Sequence, residues 1–141
     1  MTCLIGIDPG KDKCGLVLVD VNNLCVLDGQ VVLSKQMINL IIKWQKSSHI
    51  DQIILGNGTT SKYWEPLLSE FAFVNVIDEQ GTSLKARKRY WELWPPSKLI
   101  AILPRGLILP RDNLDAVAAL ILVEDYLGQK LSWTGSYEFR I

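Results

Sequence analysis

Short apolar runs, each closed by a turn signal, make up the first part of the chain. Residues 3–9 form an apolar run that stops at Pro9-Gly10, which is typical of a buried strand that ends in a turn. Residues 15–19 and 24–33 have the pattern of two further strands, with Asn22-Asn23 as a tight turn between them. Because the three strands follow one another so closely, we predict an antiparallel meander.

After residue 33, helical and strand patterns alternate. A Ser at position 34 can cap a helix, in which Met37, Leu40, Ile41 and Trp44 recur at helical spacing. The elements predicted after it are a strand at 53–55, a helix at 59–71, a strand at 73–77, a helix at 82–93 and a final helix that begins at Asp112 and ends at Gly128.

This element order predicts an α/β fold. Strands that alternate with helices are usually parallel and buried on both faces. We therefore expect a mixed five-stranded sheet, with three antiparallel strands followed by parallel strands, and helices on both faces. A length of 141 residues fits one domain, covering 1–141, that is large enough to bury a core.

Composition narrows the class of protein. With 48% hydrophobic and 21% charged residues, the chain is typical of a globular protein. No apolar run approaches the ~20 residues of a membrane span, and the N-terminus lacks a signal-peptide pattern, so we expect a cytoplasmic protein without membrane contact. The three cysteines lie 11 residues apart, and the single His49 ends an amphipathic stretch where a helix C-terminal role is expected. Reduced, buried thiols are favoured over a disulfide or a zinc site.

The net charge of zero hides a strong asymmetry. Residues 80–111 carry a charge of +6, and the rest of the chain carries −6. A local basic stripe on an otherwise acidic protein indicates a surface for the phosphate backbone of a nucleic acid. The candidate contacts within the stripe are Lys85, Arg87, Lys88, Arg89, Arg105 and Arg111.

Four carboxylates occur where they can meet at one edge of the predicted sheet. Asp8 ends the first strand, Glu79 follows the strand at 73–77, and Asp112 and Asp115 lie in the first turn of the closing helix. Ligand-handling groups collect outside the carboxyl ends of parallel strands. Clustered carboxylates repel one another unless they are protonated or bound to a metal, and hard oxygen ligands select Mg²⁺ or Mn²⁺. Two such ions can activate water and stabilise the leaving oxygen of a phosphodiester.

Each of these residues also has a purely structural interpretation. Asp8 before Pro-Gly is typical of a turn, and Glu79 of an ordinary loop. Asp112 and Asp115 suit a helix N-terminus on capping and dipole grounds. The cations at 85–89 are compatible with a solvated helix face. It is the joint placement of these groups that favours a site.

Three motifs in order resemble one group of nucleases. Gly6-Ile7-Asp8-Pro9-Gly10, with Gly15, resembles the opening motif of the RuvC and YqgF families of ribonuclease H-like nucleases. Residues 76–83 are similar to the Asp-Glu-x-x-Thr-Thr motif of YqgF proteins, and residues 112–119 to the closing Asp-x-x-Asp-Ala helix of RuvC. The predicted element order is also that of the ribonuclease H-like fold.

This resemblance implies a Mg²⁺-dependent (or Mn²⁺-dependent) endonuclease. Its metal ligands are Asp8, Glu79 and Asp115, with Asp112 as a candidate fourth. The implied substrate is the precursor of small-subunit (16S) ribosomal RNA for YqgF proteins and a four-way DNA (Holliday) junction for RuvC. A junction with two-fold symmetry would suit a homodimer.

Two departures from the family pattern leave an alternative open. Residues 55–61 replace the Gly-Leu-Pro segment of YqgF proteins and resemble the YqgF-like module of the Tex transcription-associated proteins, and Gln80 replaces the Arg of an Asp-Glu-Arg motif. The alternative is a module that binds nucleic acid without cleaving it. A sugar-kinase-like phosphotransferase also opens on an Asp-x-Gly strand, but it needs a second lobe for which we expect no room in 141 residues.

Overall fold

The computed structural model describes residues 2–79, 81–95 and 114–133. Within these residues the helices are α1 (Met37–Gln45), α2 (Ser61–Leu68), α3 (Thr82–Leu93) and α4 (Asp115–Leu127), and the strands are β1 (Thr2–Asp8), β2 (Lys13–Asp20), β3 (Cys25–Leu33), β4 (His49–Gly56) and β5 (Phe73–Ile77).

The five described strands form one mixed sheet in the order β3-β2-β1-β4-β5. The pairs β1/β2 and β2/β3 are antiparallel, whereas β1/β4 and β4/β5 are parallel. This confirms the predicted class, a mixed five-stranded sheet with three antiparallel strands followed by parallel strands. Because β1, β4 and β5 run in one direction, their carboxyl ends lie at the same edge of the sheet. Ile7 pairs with Leu55, and Gly56 pairs with Ile77 at that edge.

Both faces of the sheet carry a hydrophobic core, which explains why β1 has an apolar residue at nearly every position. On one face, Ile5 and Ile7 pack in a cluster with residues of α1 and α2, such as Met37 and Trp64. On the opposite face, Leu4 belongs to a cluster with residues of α4 that include Val123. Helices therefore cover both faces of the described sheet, as predicted.

Two glycines bring α4 into direct contact with the strands. A Cβ atom added to Gly6 would lie 2.4 Å from Val123 Cγ2 and 2.8 Å from Ala119 O. A Cβ atom added to Gly15 would lie 2.0 Å from the backbone carbonyl of Asp115. Since Gly15 pairs with Asp8 across β1 and β2, this close approach places the start of α4 beside the end of β1.

Two local predictions are wrong. Ser34 does not cap α1; it lies in a 3₁₀ turn before the helix, and its hydroxyl is 3.2 Å from Gly10 O and 3.1 Å from Lys11 O. The Ser34 hydroxyl thus donates to backbone carbonyls of the β1–β2 loop and does not cap the helix. His49 does not end a helix but begins β4, where it pairs with Thr2.

Other predictions on the same segments hold. Cys3, Cys14 and Cys25 are free thiols, with Cys25 half-buried and the other two buried, and burial raises the pKa of Cys3 and Cys14. The final helix ends at Gly128, as predicted, in the left-handed conformation. The start predicted for it, Asp112, lies outside the described residues.

In the part of the chain that the structure describes, every helix is too short or too polar to cross a membrane.

Candidate active site

Asp8 ends β1 in a half-buried position at the edge where the parallel strands terminate. Its surroundings raise the pKa of its carboxyl group to about 8. Burial is the largest cause, followed by a hydrogen bond with the Glu79 side chain and by the negative charges of Glu79 and Asp115. The structure therefore brings these three carboxylates, which are distant in sequence, into one electrostatic environment.

Glu79 reaches this position from the loop that follows β5. Its backbone N–H donates a hydrogen bond to Asn57 Oδ1 at 3.2 Å, and its carbonyl oxygen accepts one from the N–H of Thr82 at 3.0 Å, where α3 begins. Its carboxylate oxygen Oε2 is buried and has no hydrogen-bond partner among the described residues. A buried oxygen without a donor is costly in the metal-free protein.

Asp115 is the first residue of α4 and is half-buried. Its backbone lies over Gly15, which is the partner of Asp8 in the sheet. The N-terminal end of a helix favours a negative charge, so a carboxylate is easily accommodated here. The fourth candidate, Asp112, lies outside the described residues.

The donor chemistry of this cluster fits a hard divalent cation. All three groups offer carboxylate oxygens, which Mg²⁺ and Mn²⁺ prefer, and Glu79 Oε2 is a buried acceptor that lacks a partner. The residues that the structure describes contain no ready-made group of three His, Cys, Asp or Glu side chains around a metal position. The fit therefore lies in the kind of donors and in their mutual repulsion, and not in a finished coordination shell.

Comparison with known proteins agrees with the architecture. No family model matches the chain, and no curated protein is similar to it in sequence. Among solved structures, the large terminase nuclease from thermophilic phage G20c has a TM-score of 0.55 and 16% identity over 88% of this chain and 81% of its own. The chain has a ribonuclease H-like fold.

Two further structures are more distantly similar. RuvC of T. thermophilus, in complex with a Holliday junction substrate, has a TM-score of 0.46 and 14% identity over 93% of this chain and 99% of its own. The Ppx/GppA phosphatase of Aquifex aeolicus has a TM-score of 0.37 and 8% identity over 58% of this chain and 38% of its own.

Three of the predicted nucleic-acid contacts lie exposed on α3. They are Lys85, Arg87 and Lys88. Lys85 Nζ lies 3.5 Å from Asp125 Oδ2 in an exposed ion pair, which holds it only weakly. The other predicted contacts, Arg105 and Arg111, lie outside the described residues.

Arg89 has a different role from the one predicted. It is 8% exposed and faces Glu124, which is 7% exposed. Its Nε and Nη2 donate to the Glu124 carboxylate at 3.0 and 2.9 Å, and Nη2 also donates to Leu131 O at 2.9 Å. Burial and these bonds leave Arg89 in a structural ion pair, where its Nε and Nη2 are not available to a phosphate. Arg89 lies at helical spacing from Ala86, which is buried, so the structure places both on the buried side of α3.

A groove of about 400 Å³ lies between α3 and α4, away from the three carboxylates. Its rim holds cations and anions in similar number, including a Lys130–Glu92 pair at 3.1 Å. These charges largely satisfy one another, so the groove has no clear preference for an anionic or a cationic ligand. Lys85 and Lys88 line the groove, but none of the three carboxylates does, and we assign it no part in the carboxylate cluster.

The carboxylates can be predicted from the sequence, whereas the contacts that bring them together come from the structure. Gly15 admits the backbone of Asp115, and Asn57 holds the backbone of Glu79. Gly15 belongs to the opening motif, and a glycine within an apolar strand is a known sign of close backbone approach, so the sequence carries a signal for this contact. The hydrogen bond that Asn57 Oδ1 accepts from the Glu79 N–H depends on the pairing of β4 with β5, and no local pattern predicts it.

Proposed function

We propose that this protein is a divalent-metal-dependent endonuclease that cleaves phosphodiester bonds in structured nucleic acid. The observation that carries the proposal is the convergence of Asp8, Glu79 and Asp115, from three different elements, where the parallel strands end. Ligand-handling groups of α/β sheets collect at that edge. The motif resemblance to RuvC and YqgF nucleases supports the same conclusion independently.

In this proposal Asp8, Glu79 and Asp115 hold the metal, and Asp112 is the candidate fourth ligand. The chemistry that Mg²⁺ or Mn²⁺ would supply there is the activation of a water and the stabilisation of the oxygen that leaves the phosphorus atom. Asp8 must give up its proton for this role, and its pKa of about 8 means that it is largely protonated at neutral pH when no metal is bound. Metal binding should therefore release a proton and strengthen as the pH rises.

The exposed cations of α3 are proposed to hold the substrate. Helix α3 begins three residues after Glu79, so Lys85, Arg87 and Lys88 follow the site directly in the chain. Cations in such a position contact phosphates without reading sequence. From the motif resemblance, the substrates to test are a four-way DNA junction, for which a homodimer would supply two sites, and the precursor of 16S ribosomal RNA.

The test is incubation of the purified protein with Mg²⁺ or Mn²⁺ and a panel of four-way junctions, single strands and precursor ribosomal RNA. We expect metal-dependent cleavage that falls at least ~100-fold in Asp8→Asn, because a ligand is lost. Asp12→Asn is the matched control, since Asp12 is an exposed carboxylate in the loop after β1. Cleavage that survives Asp8→Asn would rule out the proposed site.

One observation favours a second candidate, a module that binds nucleic acid without cleaving it. Among the described residues, no three metal-binding side chains are already assembled around a metal position. A module of this kind would bind members of the panel with an affinity that falls as salt rises, and would leave all of them intact with either metal. That result would replace the nuclease proposal.

A further inference from the structure

The loop that leaves β4 is closely associated with Glu79. Its tripeptide Gly56-Asn57-Gly58 ends the strand beside β5 and precedes α2. We propose that this tripeptide forms a cradle that positions the Glu79 carboxylate, with Asn57 as a positioning residue and the two glycines as the walls. The inference rests on the proposed function, because it assigns to the tripeptide the orientation of one of the proposed metal ligands.

The backbone of Glu79 is anchored to Asn57. The Asn57 N–H donates to Ile77 O at 2.9 Å, and Asn57 Oδ1 accepts from the Glu79 N–H at 3.2 Å. One residue thus holds the chain on both sides of Asp78. Asn57 is itself exposed, so hydrophobic packing does not explain its placement. Its amide side chain instead fixes the point at which the Glu79 side chain leaves the backbone.

The two glycines flank the two oxygens of the carboxylate. A Cβ atom added to Gly56 would lie 2.3 Å from Glu79 Oε2, and one added to Gly58 would lie 2.7 Å from Glu79 Oε1. Both distances are shorter than real Cβ contacts allow. Neither glycine has a positive φ, unlike Gly81 and Gly128, so alanine is compatible with the backbone at both positions. What requires glycine here is the space occupied by the Glu79 carboxylate.

Beside the hydrogen bond of its side chain with Asp8, shape and a backbone anchor orient the Glu79 carboxylate. Glu79 Oε2 is buried without a hydrogen-bond partner in the described part of the chain, so no donor there fixes that oxygen. A methyl group on either wall would meet the end of a flexible side chain first, and the carboxylate would swing away from Asp8. The next contacts, Leu122 Cδ1 at 3.0 Å from the Gly56 position and Pro9 O at 3.2 Å from the Gly58 position, are less severe.

The first test measures binding of Mn²⁺ alone, by the loss of the electron paramagnetic resonance signal of the free ion. We expect the Mn²⁺ dissociation constant to rise about 10-fold or more in Gly56→Ala, Gly58→Ala and Asn57→Ala, as for other residues that orient metal ligands. Asn57→Asp keeps an acceptor for the Glu79 N–H and should restore most of the affinity. Asn39→Ala, at an exposed asparagine of α1, is the control and should bind like wild type.

The second test uses no metal and no substrate. Gly56→Ala and Gly58→Ala should each lower the Tm by about 3 °C in the wild-type background. In a Glu79→Ala background, most of that loss should disappear, because the group that the methyl meets is gone. An equal loss of Tm in both backgrounds would overturn the cradle.

The two tests separate the cradle from the nuclease proposal. If wild type fails to bind Mn²⁺ but the loss of Tm depends on Glu79, the cradle stands and the proposed function fails. If wild type binds Mn²⁺ and the three alanine variants bind it equally well, the cradle fails and the proposed function stands.

Discussion

At the scale of single residues, the chain places a carboxyl group where its charge is unfavourable. Asp8 is half-buried beside Glu79 and Asp115, and these surroundings penalise its ionised form. A structural aspartate would more often be given a cation or several hydrogen-bond donors, as Asp20 is by Asn22 and Asn23, with a lowered pKa. Groups that are strained in this way concentrate at functional sites.

This unfavourable charge predicts an unusual pH dependence of stability. With a pKa of about 8 when folded and near 3.8 when unfolded, Asp8 binds one more proton in the folded state between these values. The free energy of unfolding should therefore fall as pH rises from 5 to 8, by at most about 1.4 kcal/mol per pH unit. Because the pKa of Asp20 is lowered, its titration changes the stability only below pH 5.

Urea unfolding in chelator at pH 5, 6, 7 and 8 checks this dependence. Asp8→Asn should flatten the profile and should be more stable than wild type at pH 8, whereas Asp12→Asn should follow wild type. The Cys14 thiol, whose pKa is raised by burial, titrates above this range. An unchanged slope in Asp8→Asn would show that Asp8 does not carry the effect.

At the scale of elements, the sequence was most informative where a pattern had clear stops. Strand β5 and helix α3 were predicted at their observed bounds, because β5 is followed by charged residues and α3 by Pro95-Pro96. The prediction for Ser34 is wrong because its hydroxyl contacts a loop 24 residues earlier in the chain, which no local pattern indicates. The sequence indicates where the strands that carry the site end. A contact such as the one between Asn57 and Glu79 depends on how the strands pair, which the sequence does not show.

The close packing of α4 against β2 predicts that a side chain at Gly15 lowers the stability. The missing side chain of Gly15 leaves room for the carbonyl of Asp115, 2.0 Å from where a Cβ would stand. Backbone cannot move aside as a side chain can, so Gly15→Ala should cost about 2–3 kcal/mol of stability. Gly58→Ala, which meets the end of a side chain, should cost less than about 1 kcal/mol. Equal losses in urea unfolding would contradict this account.

The buried ion pair between Arg89 of α3 and Glu124 of α4 gives another prediction about stability. Arg89→Ala would leave Glu124 buried and unpaired, at a cost of about 3–5 kcal/mol. Arg89→Met with Glu124→Leu should recover only part of this, because Leu131 loses the donor to its carbonyl and the acceptor of its N–H. Lys85→Ala breaks an exposed pair and should cost less than about 1 kcal/mol. A loss below about 1 kcal/mol in Arg89→Ala, by urea unfolding, would show that the pair is not structural.

At the scale of the whole molecule, β1 lies at the centre of the sheet, between the antiparallel and the parallel halves. Its carboxyl end is the place where the loop after β5 and the start of α4 can both reach one residue. Helix α3 continues directly from that loop and packs with α4 on one face. The arrangement thus puts three exposed cations and three carboxylates on consecutive or adjoining segments.

That arrangement predicts how nucleic-acid binding should depend on salt. Each phosphate contact contributes about 0.9 to the slope of log affinity against log salt concentration on duplex DNA. Arg87→Ala and Lys88→Ala should each weaken binding of a four-way junction and reduce that slope by about 1. Lys43→Ala, at an exposed lysine of α1 on the opposite face, should change neither. Fluorescence anisotropy from 50 to 300 mM KCl measures the slope. An equal effect of Lys43→Ala would mean that the protein is attracted by its overall field, and that α3 is not the binding surface.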